Sequence, residues 1–297
     1  MNNSLLTKPI RRAIIAIIAI IAILLLYITS RSCNKCDNTA QEEKVQKPWN
    51  VTILIDLSDR IIKADGQIDR DTAIVEAITA ELFREKVTLK KLRKATDKLQ
   101  IVFYPELSDN LSKSLSFDFE NFEKSKVQAK RALYDSIKNE KIISSRLNKL
   151  YNKAKEQSNF TGCDIWGFFD KGKAKKYCVR KGFRNVLVIL TDGYIFDVNN
   201  KQKITKDNHA EYSYILPQTL KDKDARLIPC EPVGDLEIMM LELCPNPKTD
   251  YDQMETVIED WLKAMNISKY MIADTDAPEI TKKVIRDFLK EEENCEE

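Results

Sequence analysis

The sequence predicts an α/β fold: a mostly parallel central sheet with helices on both faces. Three observations carry this. Asn50–Ile55 and Val186–Leu190 are strand-length runs of the type buried on both faces. Segments with apolar residues at helical spacing separate them, so strands and helices alternate. Each run also ends on an Asp within two residues, Asp56 and Asp192. In such three-layer, Rossmann-type sheets, ligands sit beyond the carboxyl ends of the strands, where the strand order reverses.

The chain has 297 residues, 43% of them hydrophobic, which is enough to bury a core. Residues 1–32 hold Lys8, Arg11, Arg12 and Arg31 and no acid, so the remainder carries a net charge of −2. No basic stripe stands out, which argues against a nucleic-acid partner. His209 is the only histidine, which argues against a His-based triad or a multi-His zinc site; among Asn208, Ala210 and Glu211 it reads as a loop residue. Seven glycines and no G-x-x-x-x-G-K-[ST] argue against a nucleotide.

Ala13–Ile28 is free of polar side chains apart from the Tyr27 hydroxyl. It predicts a transmembrane helix over residues 13–29, about 24 Å long at 1.5 Å per residue. The basic residues before it place residues 1–12 in the cytoplasm and the soluble domain on the extracytoplasmic side, periplasmic if the host is bacterial. A cleaved signal peptide ending at Ser30 and Ser32 before Cys33 is the rival; the apolar run is longer than a usual signal core, which favours an uncleaved anchor. Residues 30–48 read as a polar linker closed by Pro48.

Within residues 49–290, Asn50–Ile55 is the first strand. Asp65-Gly66 makes a turn, and Asp69 caps a helix with Ile74, Ile78, Leu82 and Phe83 on its apolar face. Leu99–Tyr104 is the second strand. Residues 121–156 have helical spacing at Val127, Leu133, Ile137, Ile143, Leu147 and Leu150, a helical insertion within residues 105–160. A short helix then carries Ile165, Trp166, Phe168 and Phe169, a core face at helical spacing. Val186–Leu190, Arg226–Ile228 and Glu237–Leu243 are further strands. Met254–Met265 and Ala277–Lys290 are amphipathic helices, and residues 291–297 are an acidic tail.

Of the seven cysteines, Cys163/Cys178 and Cys230/Cys244 are local pairs open to disulfide formation in an oxidising compartment. Cys33-Asn-Lys-Cys36 lies in the linker outside any βαβ context, so it reads as a tether disulfide or free thiols rather than a redox centre.

Asp56, Ser58 and Asp192 follow predicted strand ends, and Thr161 starts the short helix between them. Two carboxylates and two hydroxyls at one sheet edge form a hard-oxygen site suited to magnesium, manganese or calcium. Taken singly, each also suits a turn or a helix cap.

Asp56-Leu57-Ser58-Asp59-Arg60, Thr161-Gly162-Cys163-Asp164 and Leu190-Thr191-Asp192-Gly193 resemble the three pieces of the metal-ion-dependent adhesion site of von Willebrand factor type A domains, over residues 49–290. The resemblance implies a divalent cation held by Asp56, Ser58, Thr161 and Asp192, with a partner's carboxylate completing the shell. It also implies a membrane-anchored binding module for a protein or peptide. One position departs: Arg60 stands where the family has its second Ser. A guanidinium offers no acceptor and stays charged. Either Arg60 swings away and leaves a weakened site, or it lies across the pocket, pairs with Asp56 or Asp192, and substitutes for the cation.

Two other functions compete. One is a metal-free docking scaffold of a membrane complex. The other is a Mg-dependent phosphoryl-transfer or hydrolytic enzyme using Asp56. Against the enzyme, Ser58 stands where a second Asp would supply acid–base help, and the expected reading is non-enzymatic.

Overall fold

In the computed structural model, the described residues are 47–63, 66–83, 94–106, 117–118, 130–131, 135, 140–157, 162–207 and 209–290. The predicted transmembrane segment, Cys33, Cys36, Thr161 and the acidic tail lie outside them. Among the described residues, no helix is long and apolar enough to cross a membrane. Residues 47–297 form a compact unit of their own.

In chain order the unit opens with β1 (Trp49–Asp56), α1 (Arg60–Lys63), α2 (Gln67–Phe83), β2 (Lys98–Tyr104), β3 (Phe117–Asp118) and α3 (Glu140–Gln157). Then come β4 (Gly162–Cys163), α4 (Ile165–Asp170), α5 (Lys173–Cys178), β5 (Arg184–Leu190), β6 (Phe196–Asp197), β7 (Lys203–Lys206), β8 (His209–Tyr212) and β9 (Arg226–Leu227). The last elements are β10 (Glu237–Leu243), α6 (Tyr251–Ala264), β11 (Tyr270–Asp274) and α7 (Pro278–Leu289).

The main sheet runs β11-β10-β5-β1-β2-β3. Its first five strands are parallel, and β3 pairs antiparallel to β2. Central β1 has Ile53 opposite Ile101 on one side and Val188 on the other. Being covered above and below, β1 is buried from Asn50 to Asp56, which is why its sequence does not alternate.

Period-two geometry sorts the strand side chains into two layers. Val51, Ile53 and Ile55 join α2, α3 and α7 through Ile78, Leu147, Tyr151 and Phe288. Leu54, Leu187 and Ile189 face Trp166 and Phe168 of α4 and Met254, Ile258 and Trp261 of α6. The aromatics of the short helix are therefore core, as their spacing indicates. Phe169 meets Trp261 edge-on with ring centres 5.0 Å apart, a favourable arrangement of aromatic quadrupoles.

Several elements depart from expectation. The α2 helix begins at Gln67, so Asp69 lies in its first turn rather than capping it. Part of the expected insertion is integral: α3 puts Leu147, Leu150, Tyr151 and Ala154 into the core. Arg226–Leu227 is a strand, but it pairs with β8 in a separate three-stranded sheet, β7-β8-β9. His209 opens β8 rather than lying in a loop, with Nε2 3.4 Å from Glu211 Oε1. The edge strand β11 has no sequence counterpart above, because it is only half-buried throughout and lacks a continuous apolar run.

Candidate functional site

Central β1 has β2 on one side and β5 on the other, so the strand order reverses between β1 and β5. This is the switch point at which the carboxyl ends open a crevice. The two chain exits there carry Asp56-Leu57-Ser58 and Thr191-Asp192-Gly193.

Short polar side chains hold both exits by bonding the backbone two residues on. Asp56 Oδ1 accepts from the Ser58 N–H at 2.7 Å, and Ser58 Oγ accepts from the Arg60 N–H at 3.4 Å. Thr191 Oγ1 accepts from the Gly193 N–H at 3.1 Å, and Asp192 Oδ1 from the Tyr194 N–H at 3.1 Å. The Thr191 hydroxyl also donates to Asp56 Oδ2 at 2.8 Å, tying the two exits together. Gly193 has φ +92°, and a Cβ there would collide with the Met254 sulfur of α6, so a larger residue is excluded on both counts.

Asp56 is fully buried and Ser58 nearly so; Asp192 is partly exposed. Burial raises the Asp56 pKa, against the opposing pull of Arg60 and its hydrogen bonds. Burial and then the Asp56 charge push Asp192 up to about 7. Each carboxylate thus disfavours ionisation of the other.

Arg60 points inward and is 3% exposed. Its ionic partner is neither Asp56 nor Asp192. Nη1 and Nη2 donate to Asp71 of α2 at 3.0 and 2.5 Å, the bidentate fork that guanidinium geometry favours. Its reach to Asp56 is to the main-chain oxygen, at 3.5 Å. Both expectations for this side chain are corrected: it does not swing away, and it does not lie between the two site carboxylates as their counter-ion. Asp71 also accepts from Tyr151 Oη, and from Gln67 Nε2 at 2.9 Å. The network continues through Gln67 to Glu242 at 3.3 Å and from Arg70 Nε to Glu242 at 3.2 Å. Glu242 sits at φ +73°, where the β10–β11 register shifts. Burial raises its pKa.

This network was missed in the sequence. A Glu inside the otherwise apolar end of E-I-M-M-L-E-L was the available signal, since a carboxylate in a doubly covered strand needs a partner.

Of the residues expected at the site, Asp56, Ser58 and Asp192 come together, and Thr161 lies outside the described residues. The adjoining Cys163 is at this sheet edge, with its thiol 3.3 Å from the Tyr104 carbonyl at the end of β2.

The expected disulfides are not formed. Cys163, Cys178 and Cys230 are buried free thiols and Cys244 an exposed one. The main chain at Cys178 contacts Asn50 at the opposite end of β1. Cys163 and Cys178 are therefore separated by about 20 Å of strand at 3.3 Å per residue. The Cys230 sulfur is directed at the Trp166 carbonyl, 3.8 Å away, while the Cys244 N–H donates to the main-chain carbonyl of Asp192 at 3.0 Å.

The donors fit a hard cation in kind: two carboxylates and a hydroxyl, with no basic side chain ion-paired to either carboxylate among the described residues. Among the described residues they do not amount to a cluster of three or more His, Cys, Asp or Glu ligands.

No family model and no curated protein matches the chain. Among solved structures, two forms of the pilus adhesin SpaC from Lactobacillus rhamnosus GG are similar, at 12% identity and TM-scores of 0.41 and 0.39. Each similarity covers 82% of this chain but only 30% of the adhesin. The chain thus spans under a third of that protein's length. Likeness at this level carries no functional argument, and the α/β assignment rests on strand order and layering.

Proposed function

We propose that the chain is a membrane-anchored binding module of the von Willebrand A type, which recognises a protein or peptide at the carboxyl edge of its sheet. The supporting observation is the meeting of Asp56, Ser58 and Asp192 at the β1/β5 switch point, with Arg60 engaged elsewhere by Asp71. A desolvated carboxylate pair with no base ion-paired to it suits a divalent cation. Asp56, Ser58 and Asp192 would hold it, with Thr161 as the further ligand that the family resemblance implies. The proposed activity is recognition, not catalysis.

Calorimetric titration of magnesium and manganese into residues 47–297 tests this, beside an Asp192→Ala variant. Saturable binding that the variant loses is the expected result. Absence of binding by the native domain would sink the cation. A metal-free docking scaffold would then be favoured by one observation: with Asp192 at about 7 and Asp56 raised, a shared proton can neutralise the pair.

A further inference from the structure

Asp56 and Asp192 leave different strands, so a contact between the two exits has to fix one carboxylate against the other. Thr191 stands between them. It follows the last residue of β5 and is fully buried. Its N–H donates to the Leu241 carbonyl of β10 at 3.1 Å, which ties its main chain to the strand on one side. Its hydroxyl reaches the exit of β1, the strand on the other side.

A hydroxyl has one proton to give. Thr191 Oγ1 accepts from the Gly193 N–H at 3.1 Å, and its own proton goes to Asp56 Oδ2, 2.8 Å away. The other oxygen, Asp56 Oδ1, accepts from the Ser58 N–H at 2.7 Å. Each oxygen of Asp56 thus has its own donor, and the plane of the carboxylate is set. Thr191 also begins the turn that presents Asp192, whose Oδ1 accepts from the Tyr194 N–H at 3.1 Å. One buried hydroxyl therefore aims one carboxylate from the turn that carries the other.

We infer, on the reading of this edge as a cation site, that Thr191 is its positioning residue: it holds Asp56 in register with Asp192 and so makes the site favour magnesium over calcium. Magnesium demands near-ideal octahedral oxygens at about 2.0–2.1 Å, whereas calcium accepts looser shells at about 2.3–2.6 Å. Carboxylates locked by a second hydrogen bond meet the stricter demand; carboxylates free to rotate meet only the looser one. A threonine that merely closed the turn at Gly193 would not tell the two ions apart.

The test is calorimetric titration of magnesium, and separately of calcium, into residues 47–297 carrying Thr191, Thr191→Val or Thr191→Ser. Valine keeps the shape and drops the hydroxyl; serine keeps the hydroxyl. Losing a hydrogen bond behind a ligand typically weakens metal binding about 10–100-fold. That loss is expected for magnesium in Thr191→Val, with a smaller one for calcium, while Thr191→Ser stays near native for both. Native magnesium affinity in Thr191→Val overturns the inference. So does an equal loss of both ions, or a serine variant as weak as the valine one. Thermal melts without cation report folding separately. Should Thr191→Val melt below the titration temperature, Thr191→Cys, whose thiol is a weak donor, takes its place under the same criteria. If the native domain binds neither ion, the cation reading itself fails and this role of Thr191 with it.

Discussion

Asp56 and Asp71 leave the same stretch of chain and are both fully buried, yet their surroundings differ. Asp71 has a bidentate Arg60, the Tyr151 hydroxyl and the Gln67 amide. Asp56 has a backbone N–H, the Thr191 hydroxyl, the nearby but otherwise paired Arg60 and a second carboxylate, Asp192, which burial and then the Asp56 charge push up to about 7. One carboxylate is ion-paired within the fold; the other is hydrogen-bonded but has no ion-paired base. Completed ion pairs hold structure, and incomplete ones mark where something can bind.

Breaking the satisfied side gives the largest effect. Arg60→Ser restores the family motif on paper but leaves Asp71 buried without its cation, and is expected to cost about 3–5 kcal/mol in urea unfolding. Arg60→Met with Asp71→Leu should recover most of that loss. If Arg60→Ser instead keeps native stability and raises magnesium affinity, Arg60 belongs to the oxygen site and not to a structural pair with Asp71. Tyr151→Phe removes a single hydrogen bond to the same carboxylate and should cost about 1.5–3 kcal/mol by the same measurement.

On the unsatisfied side the sign reverses. The folded pKa of Asp192, about 7, lies above the ordinary aspartate value of 3.8. The folded state therefore holds the extra proton, and the stability linked to it is complete below about pH 4 and lost as pH rises towards 7. Thermal melts across that range should show this decline, and magnesium above pH 7 should reverse it. Asp192→Asn is the mildest change: it should flatten the pH profile and shift stability by about 1 kcal/mol or less, while cation binding disappears.

Much of this was legible beforehand because burial leaves a local trace. Strands covered on both faces favour apolar side chains on both, so β1 and β5 are visible as largely apolar runs. Their Asp-bearing exits follow directly. The half-buried β11 and the exposed β7 leave no such trace. Arg60 was visible as an anomaly, but its partner was not, since Asp71 is reached only once α2 folds back over β1.

The acid-free run from Lys171 to Arg184 stands in the sequence, yet only the fold divides it: Lys171 and Lys173 pair with Asp164 and Glu106, while Asn50 and Asn185 hold Cys178 and Arg180 at the strand starts. By itself the sequence determined the layers, the parallel sheet and the pair of aspartates at its exits, because periodicity and strand-end chemistry are local properties. Tertiary structure alone decided that Arg60 pairs with Asp71 and that Cys163 and Cys178 lie at opposite ends of the sheet. Each of those depends on contacts between segments distant in the chain, which no local pattern encodes.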